Sequence, residues 1–156
     1  MKYISDLAIA IAQRKKNKKT ISKLAQLPAK KLDILFHQKH DEVFENVDCL
    51  SCANCCKTTS PIFRAIDIQR LSKRLKINSG EFVTRYLKID DENDYVLQSS
   101  PCVFLMDDNK CAVYEDRPLA CKDYPHTNRK KMHQILSLTR KNTEICPAVS
   151  RIFQAL

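Results

Sequence analysis

Apolar residues recur at helical spacing near the start of the chain. Ile4, Leu7, Ala8 and Ile11 occupy positions i, i+3, i+4 and i+7. Residues at this spacing lie on one face of an α-helix, because the helix repeats every 3.6 residues. The pattern therefore predicts an amphipathic helix over residues 3–15, with these four side chains on a shared apolar face.

Two further helices are predicted before residue 45. Thr20 or Ser22 can cap a second helix that runs to about Leu27. Pro28 suits the first turn of a third helix, which its apolar periodicity extends to about Phe44. The first third of the chain is therefore expected to be helical.

The central part of the chain mixes helix and strand signals. Residues 67–76 carry apolar side chains at helical spacing. Asn78, with Glu81 three residues later, resembles a capping box that opens another helix to about Leu87. The short run Tyr95-Val96-Leu97 predicts a strand, since β-branched and aromatic residues favour extended chain.

Later segments complete the predicted fold. Residues 103–105 and 111–114 flank a polar turn at residues 107–110, a pattern typical of a β-hairpin. Periodic apolar residues predict helices over residues 130–140 and 147–156. The expected fold class is α+β and mostly helical, a small single domain with a minor antiparallel hairpin.

Length and composition exclude several classes of protein. The 156 residues are 44% hydrophobic and 29% charged, which is typical of one globular domain. The longest aliphatic run, residues 7–12, is too short to span a bilayer. Gly80 is the only glycine, and the sequence has no GxGxxG, P-loop or GxSxG motif. A Rossmann-type cofactor pocket is therefore not expected.

Positive charge is concentrated at the start of the chain. Residues 1–40 hold ten Lys and Arg against two acidic residues, whereas residues 41–156 hold seventeen against sixteen. We predict a basic N-terminal helical arm over residues 1–44, followed by a near-neutral domain over residues 45–156. Such an arm attracts anionic surfaces. The commoner role of such lysines is a solvated helix surface that keeps the protein soluble, and docking of a protein partner is the alternative left open. Nucleic acid is disfavoured because no aromatic residue interrupts the lysines, and no membrane is expected.

The start of the chain differs from a secretory signal peptide. Its apolar stretch is short, Asp6 precedes that stretch, and most of the positive charges follow it. The expected location is the cytoplasm, where the reducing environment disfavours disulfides.

Eight cysteines are the strongest functional signal. Four of them form a C-x2-C-x2-C-C string in a predicted loop or single turn, and four are spread over later residues. Cysteines two residues apart can wrap one metal ion, as in four-thiolate zinc sites and iron–sulfur clusters. All eight are candidate ligands: Cys49, Cys52, Cys55, Cys56, Cys102, Cys111, Cys121 and Cys146.

The grouping of these ligands stays open at the level of sequence. Adjacent Cys55 and Cys56 rarely serve one ion, because neighbouring side chains diverge. They either serve two metals, or one of them packs as a small apolar residue. Eight thiols can form two four-thiolate sites, or one such site with a partly occupied neighbour.

The spacing of these motifs resembles the YkgJ-type cysteine-cluster family over about residues 45–150. The matching features are Cys49-x2-Cys52-x2-Cys55-Cys56, Asp67-Ile68, Pro101-Cys102-x-Phe104-Leu105, Cys111-x2-Tyr114-x2-Arg117-Pro118-x2-Cys121, Tyr124-Pro125 and Cys146-Pro147. The resemblance implies a CxxCxxCC domain that chelates zinc or iron. Related cysteine patterns also accompany a methyltransferase activity in the much longer flagellin lysine N-methyltransferase.

The chain departs from this family in one place. Many members carry glycine inside the first string, where this chain has Ala53-Asn54. Asn54 is the better candidate for a left-handed backbone, since asparagine tolerates positive φ.

Other side chains are candidates to support the thiolates. Arg117 can offset their negative charge, or can form an ordinary salt bridge with Asp67, Glu115 or Asp116. Tyr114 and Tyr124 can donate hydrogen bonds to sulfur, although core packing is the commoner role of such residues. These three are the predicted residues around the ligands.

Three function classes follow from these features. The leading one is a metal-binding protein with a structural or adaptor role, holding zinc or an iron–sulfur cluster. The second is a redox or protein-modifying iron–sulfur protein, associated with methyl transfer. The third and weakest is nucleic-acid binding by the basic arm.

Overall fold

Helices supply most of the fold in the computed structural model, which describes residues 3–156. The first two residues of the predicted arm lie outside this range. The helices and strands are α1 (Ile4–Ala12), α2 (Arg14–Leu24), α3 (Ala29–Phe44), α4 (Cys49–Cys52), α5 (Asn54–Thr58), α6 (Ala65–Leu75), α7 (Ser79–Tyr86), β1 (Leu87–Ile89), β2 (Tyr95–Leu97), α8 (Leu119–Asp123), α9 (Leu136–Asn142) and α10 (Pro147–Gln154). Short 3₁₀ turns at Tyr114–Asp116 and Met132–Gln134 complete the list.

The described chain forms two units. The first unit combines residues 3–52 with residues 125–156, and the second comprises residues 53–124. The predicted mostly helical α+β class with a minor antiparallel hairpin is confirmed. The predicted domain boundary after residue 44 stays a prediction.

Helix α10 lies at the centre of the first unit. It contacts α1 and α3, and Val149 and Ile152 on it are fully buried. Phe153 packs near Phe36 of α3, with ring centroids 6.5 Å apart. The main cluster of buried residues in this unit is Leu24, Leu32, Phe36, Met132, Leu136, Val149, Ile152 and Phe153.

The second unit packs α6 and α7 against the hairpin of β1 and β2. The two strands are antiparallel, with Leu87 opposite Leu97 and Ile89 opposite Tyr95. Phe82 of α7 is fully buried between aromatic neighbours. The cluster of buried residues is Phe63, Ile68, Leu71, Phe82, Leu87, Leu97, Phe104 and Val113.

Several predicted helices are confirmed, but the second is misplaced. The Asn78 side chain caps α7 by accepting a 2.8 Å hydrogen bond from the Glu81 N–H, as predicted. Thr20 and Ser22 do not cap a helix. They lie inside α2 and donate to the carbonyl oxygens of Lys16 and Lys18, one turn earlier.

The hairpin lies elsewhere than predicted. Strand β2 pairs with Leu87–Ile89, which the sequence pattern assigned to the end of a helix. In residues 103–114 the expected ladder is reduced to one bridge, between Leu105 and Cys111. The predicted helix over residues 130–140 also begins late, because a 3₁₀ turn precedes α9.

Helix α1 is apolar on two faces. Leu7 and Ala10 are buried, together with Tyr3 before the helix. Ile4 and Ile11 point outward and are 62% and 49% exposed. The predicted apolar face of Ile4, Leu7, Ala8 and Ile11 is therefore divided, because Ile4, Ala8 and Ile11 are exposed and only Leu7 is buried.

The left-handed residue in the first cysteine string is Ala53, with φ of 49°, and not Asn54. Asn54 is instead the first residue of α5. Among residues 3–156, no helix is long and apolar enough to cross a lipid bilayer.

Candidate metal centre

Four cysteines of the second unit are carried by different local structures. Cys56 lies in α5, Cys102 lies in irregular chain after β2, Cys111 forms the isolated bridge, and Cys121 lies in α8. All four are partly buried free thiols. We refer to Cys56, Cys102, Cys111 and Cys121 as the four-thiol group.

Backbone hydrogen bonds join three of these segments. The Cys102 N–H donates to the Cys56 carbonyl oxygen at 2.7 Å. The Leu105 N–H donates to the Cys102 carbonyl oxygen at 3.1 Å, and Leu105 in turn pairs with Cys111. Cysteines far apart in sequence are therefore held in one small region by the main chain.

Arginines of α6 fix the segment that leads to α8. Arg70 donates to the carbonyl oxygens of Asp116 at 3.1 Å and of Arg117 at 2.9 Å. Arg74 donates to the Asp116 carboxylate at 2.8 Å and to the Ala112 carbonyl oxygen at 3.1 Å. Helix α6 thereby acts as a scaffold for the chain between two cysteines.

Asp67 is the centre of this scaffold. Its side chain is fully buried and accepts hydrogen bonds from Arg64 at 2.9 Å and from Arg70 at 2.8 Å. It also accepts from the Leu119 N–H at 3.3 Å, two residues before Cys121. Burial favours the neutral acid, but these hydrogen bonds outweigh burial and lower the pKa of Asp67.

The thiols of the group affect one another electrostatically. Burial raises the pKa of the Cys121 thiol to about 12, and the nearness of Cys56, Cys102 and Cys111 adds to the rise. Burial also raises the pKa of Cys102 and of Cys111, and again the neighbouring thiols contribute. Electrostatic effects of this kind act over distances of about 10 Å, so they place the four thiols in one region of the second unit.

Backbone amides point toward two of these sulfur atoms. Hydrogen bonds from the N–H groups of Phe104 and Leu105 act against the rise in the pKa of Cys102. The Val113 N–H acts in the same way on Cys111. Amide donors to sulfur stabilise thiolates and are typical surroundings of metal-bound cysteine.

Cys56 differs from the other members. A hydrogen bond from Cys55 lowers the pKa of the Cys56 thiol to about 7, despite burial that opposes the change, and Lys57 assists. Cys56 is therefore partly a thiolate near neutral pH. The thiols of the adjacent Cys55 and Cys56 interact directly. Whether the two cysteines serve two metals, or one of them packs as a small apolar residue, stays a prediction.

Three further cysteines belong to the first unit. Cys49 and Cys52 lie at the two ends of α4, and Cys146 precedes the first residue of α10. Burial raises the pKa of the Cys146 thiol to about 12, and the nearby thiols of Cys49 and Cys52 add to the rise. Hydrogen bonds from the backbone N–H groups of Val149 and Ala148 oppose the rise. We refer to Cys49, Cys52 and Cys146 as the three-thiol group.

Arg117 lies beside the four-thiol group. Its guanidinium carbon is 3.8 Å from the centroid of the Tyr114 ring, and Nη1 donates to the Tyr114 carbonyl oxygen at 2.7 Å. Its positive charge acts against the raised pKa values of Cys111 and Cys121. A cation in this position lowers the cost of holding several thiolates together.

The alternative role of Arg117, an ordinary salt bridge, is not what the structure shows. Within residues 3–156, Arg117 forms no ion pair with Asp67, Glu115 or Asp116. Asp67 pairs instead with Arg64, which precedes α6, and with Arg70 in α6. Asp116 pairs with Arg74.

The two tyrosines have different surroundings. Tyr114 is 49% exposed and lies under the Arg117 guanidinium, so the expectation that it packs in the core is wrong. Tyr124 is half-buried at the end of α8. Hydrogen bonding from either hydroxyl to sulfur stays a prediction.

The donor set fits a thiophilic metal. Within residues 3–156, no three Cys, His, Asp or Glu side chains are already arranged to hold a metal ion. The four-thiol group nevertheless provides the soft sulfur ligands that zinc and iron–sulfur clusters use, with amide donors and a guanidinium nearby. Binding has to displace thiol protons and draw the sulfur atoms together, as is usual for thiolate sites.

Sequence reasoning missed the α6 scaffold. Asp67 was expected as a motif residue and as a candidate salt-bridge partner of Arg117, and no role was predicted for Arg70 or Arg74. The i, i+3 spacing of Asp67 and Arg70 on a helix was the available signal. Their longer contacts, to residues 112–119, have no signature in local sequence.

Comparison with known protein families finds one match. Residues 48–147 match the family CxxCxxCC, described as a putative zinc- or iron-chelating domain. The matched range includes all eight cysteines. Comparisons with curated proteins and with solved structures find no significant match.

Proposed function

Since the chain belongs to the CxxCxxCC family, we propose that its cysteines hold zinc or an iron–sulfur cluster and that this centre stabilises the fold. The four-thiol group is the observation that carries the proposal. Four cysteines from separate segments of one unit influence one another's pKa values, and backbone bonds hold their segments together.

The proposed main ligands are Cys56, Cys102, Cys111 and Cys121. Cys56, with its pKa lowered to about 7, is the thiol of the four that most readily loses its proton to become a ligand. Binding then displaces protons from the others, and amide donors and Arg117 stabilise the resulting charge.

The proposed second ligand set is the three-thiol group. Cys49 and Cys52 have the two-residue spacing of a metal-binding turn, and Cys146 lies at the start of α10, where the helix dipole favours negative charge. Cys55, which belongs to the second unit, serves in this proposal as the hydrogen-bond donor to Cys56.

The bound metal has a structural role in this proposal. Thiolate ligation fills the coordination positions of zinc and leaves no place for substrate, which suits an adaptor. All eight cysteines are free thiols, so the proposed location is the reducing cytoplasm. An iron–sulfur cluster in the same ligands supports electron transfer or a protein-modifying role instead.

Anaerobic purification followed by elemental analysis and an optical spectrum tests the proposal. Zinc gives a colourless protein with stoichiometric metal, and an iron–sulfur cluster gives visible absorbance that bleaches on reduction. Fresh protein that lacks stoichiometric zinc and iron contradicts the proposal.

Two single variants assign the ligands. Cys121→Ser removes the metal of the four-thiol group and Cys146→Ser removes that of the three-thiol group, so each variant is the matched control for the other. Full metal content in both variants contradicts the ligand sets.

A further inference from the structure

The two units differ sharply in charge. Residues 1–52 and 125–156 carry sixteen Lys and Arg against seven Asp and Glu, a balance of +9. Residues 53–124 carry eleven of each. The whole net charge of the chain thus belongs to the unit that contains α1 and α2.

Helix α2 presents most of this charge to solvent. Arg14 forms a bidentate ion pair with Glu144, at 2.8 and 2.7 Å. The lysines of α2 are exposed, and none forms an ion pair with another residue of the described chain: Lys15, Lys16, Lys18, Lys19 and Lys23. These five lysines are available to an external anion.

An outward apolar stripe adjoins these lysines. Ile4 and Ile11 of α1 are 62% and 49% exposed, and Ala8 between them is exposed as well. Gln13 alone separates α1 from α2. The helix pair therefore offers an apolar stripe followed directly by a cationic helix.

We propose that α1 and α2 form a docking surface for an anionic lipid membrane. Helices that lie on membranes insert apolar side chains at the headgroup level while neighbouring lysines attract acidic lipids. Ile4 and Ile11 supply the insertion, and the α2 lysines supply the attraction. The first unit binds the membrane by its surface, with no helix crossing it.

Lysine is the residue that favours lipid over a protein partner here. Protein interfaces are depleted in lysine and enriched in arginine and aromatic residues. A membrane instead attracts mobile point charges without fixed geometry. Nucleic acid accounts for the lysines but leaves the exposed isoleucines without a role, and α2 has no aromatic side chain for stacking.

This proposal revises the expectation that no membrane is involved. That no helix within residues 3–156 is long and apolar enough to cross a bilayer does not bear on attachment to the bilayer surface. The proposal does not rest on the metal centre.

Vesicle co-sedimentation of the full chain tests the surface. Vesicles of phosphatidylcholine with 30% phosphatidylglycerol should bind the protein, and vesicles of phosphatidylcholine alone should bind it much more weakly. Each lysine near an anionic surface contributes about fivefold in affinity. The double variant Lys16→Glu with Lys19→Glu should therefore bind at least about 25-fold more weakly.

Two further double variants make the test specific. Lys73→Glu with Lys88→Glu changes the net charge equally but lies in the neutral unit, and should retain binding. Ile4→Ser with Ile11→Ser retains every charge and should bind at least about tenfold more weakly, since apolar insertion is lost. Circular dichroism checks that each variant is folded.

Several results overturn the proposal. One is absence of binding to anionic vesicles. If the Lys16/Lys19 and Lys73/Lys88 double variants lose the same amount of vesicle affinity, the vesicles attract the net charge of the protein and no particular surface. If the Ile4→Ser, Ile11→Ser variant binds anionic vesicles as tightly as the wild-type protein, the two isoleucines do not insert into the membrane. If the protein binds a single-stranded oligonucleotide more tightly than vesicles, the surface is a nucleic-acid site. If it binds an acidic protein and no vesicles, the surface is a protein interface.

Discussion

The backbone N–H of Cys102 donates a 2.7 Å hydrogen bond to the carbonyl oxygen of Cys56. The main chain thus brings the last cysteine of the string next to Cys102, which lies much further along the sequence. Because this bond does not depend on the sulfur atoms, it can keep the two segments together when no metal is bound.

The double variant Cys56→Ser with Cys102→Ser should lose no more metal than either single variant. Ligands of one centre act as a unit, so removing the second costs little once the first is gone. Elemental analysis of the three proteins measures this. Losses that add, with twice as much metal missing in the double variant, would show that the two cysteines serve separate centres.

Asp67→Ala should destabilise the second unit by about 1–3 kcal/mol, because Arg64, Arg70 and the Leu119 N–H lose a shared acceptor, while water can solvate the two partly exposed guanidinium groups. Urea denaturation measures the free energy of unfolding. Asp91→Ala is the control, since Asp91 is exposed and its change should stay within about 0.5 kcal/mol. Equal effects of the two changes would refute the scaffold role of Asp67.

Acid should weaken the contribution of Asp67. Its pKa is lowered in the folded state, so the carboxylate stabilises the fold at pH values above the unfolded pKa near 3.9. This contribution is lost as the pH falls through the lower folded pKa. The metal-free wild-type protein should lose its stability advantage over Asp67→Asn between about pH 4 and pH 2, as followed by thermal unfolding. An advantage that persists unchanged to pH 2 would contradict the argument.

Metal affinity should rise steeply with pH. The pKa values of about 12 keep Cys121 and Cys146 protonated at neutral pH, and each thiol must lose its proton to become a ligand. Competition with a chelator at pH 6, 7 and 8, corrected for titration of the chelator, measures the slope. An affinity that does not change over this range would show that thiolates are not the ligands.

Two isoleucines of the first unit should differ strongly in how much stability the protein loses when each is replaced by alanine. Ile152→Ala should cost about 2–5 kcal/mol, because Ile152 is fully buried in α10. Ile34→Ala should change stability little, since that side chain is 65% exposed. Chemical denaturation compares the two variants, and similar losses would contradict the assigned faces of α3 and α10.

Local signals predicted much of the fold. Asn78 caps α7 because its side chain competes for the amides of the first turn, a property readable from four residues. The errors occurred where tertiary contacts decide the outcome. Leu87–Ile89 reads as a helix end but pairs with Tyr95–Leu97, and packing against α10 selects which apolar face of α1 is buried.

The candidate metal centre likewise combines features that local sequence predicts with features that depend on tertiary contacts. Residue type and spacing indicated which side chains can bind metal, since eight cysteines in one short range have few other uses. Their grouping depends on contacts such as that of Cys102 with Cys56, and on the anchoring of Leu119 by Asp67. Such contacts join distant segments and leave no periodic pattern.

The position of the four-thiol group within the second unit has a consequence for chain entropy. That unit runs from residue 53 to residue 124, and Cys56 and Cys121 lie near its two ends. An ion bound to both is a cross-link that closes almost the whole segment into a loop. Such closure restricts the unfolded ensemble most strongly when the loop is long. Metal loading should therefore stabilise this unit as a disulfide stabilises a small secreted domain.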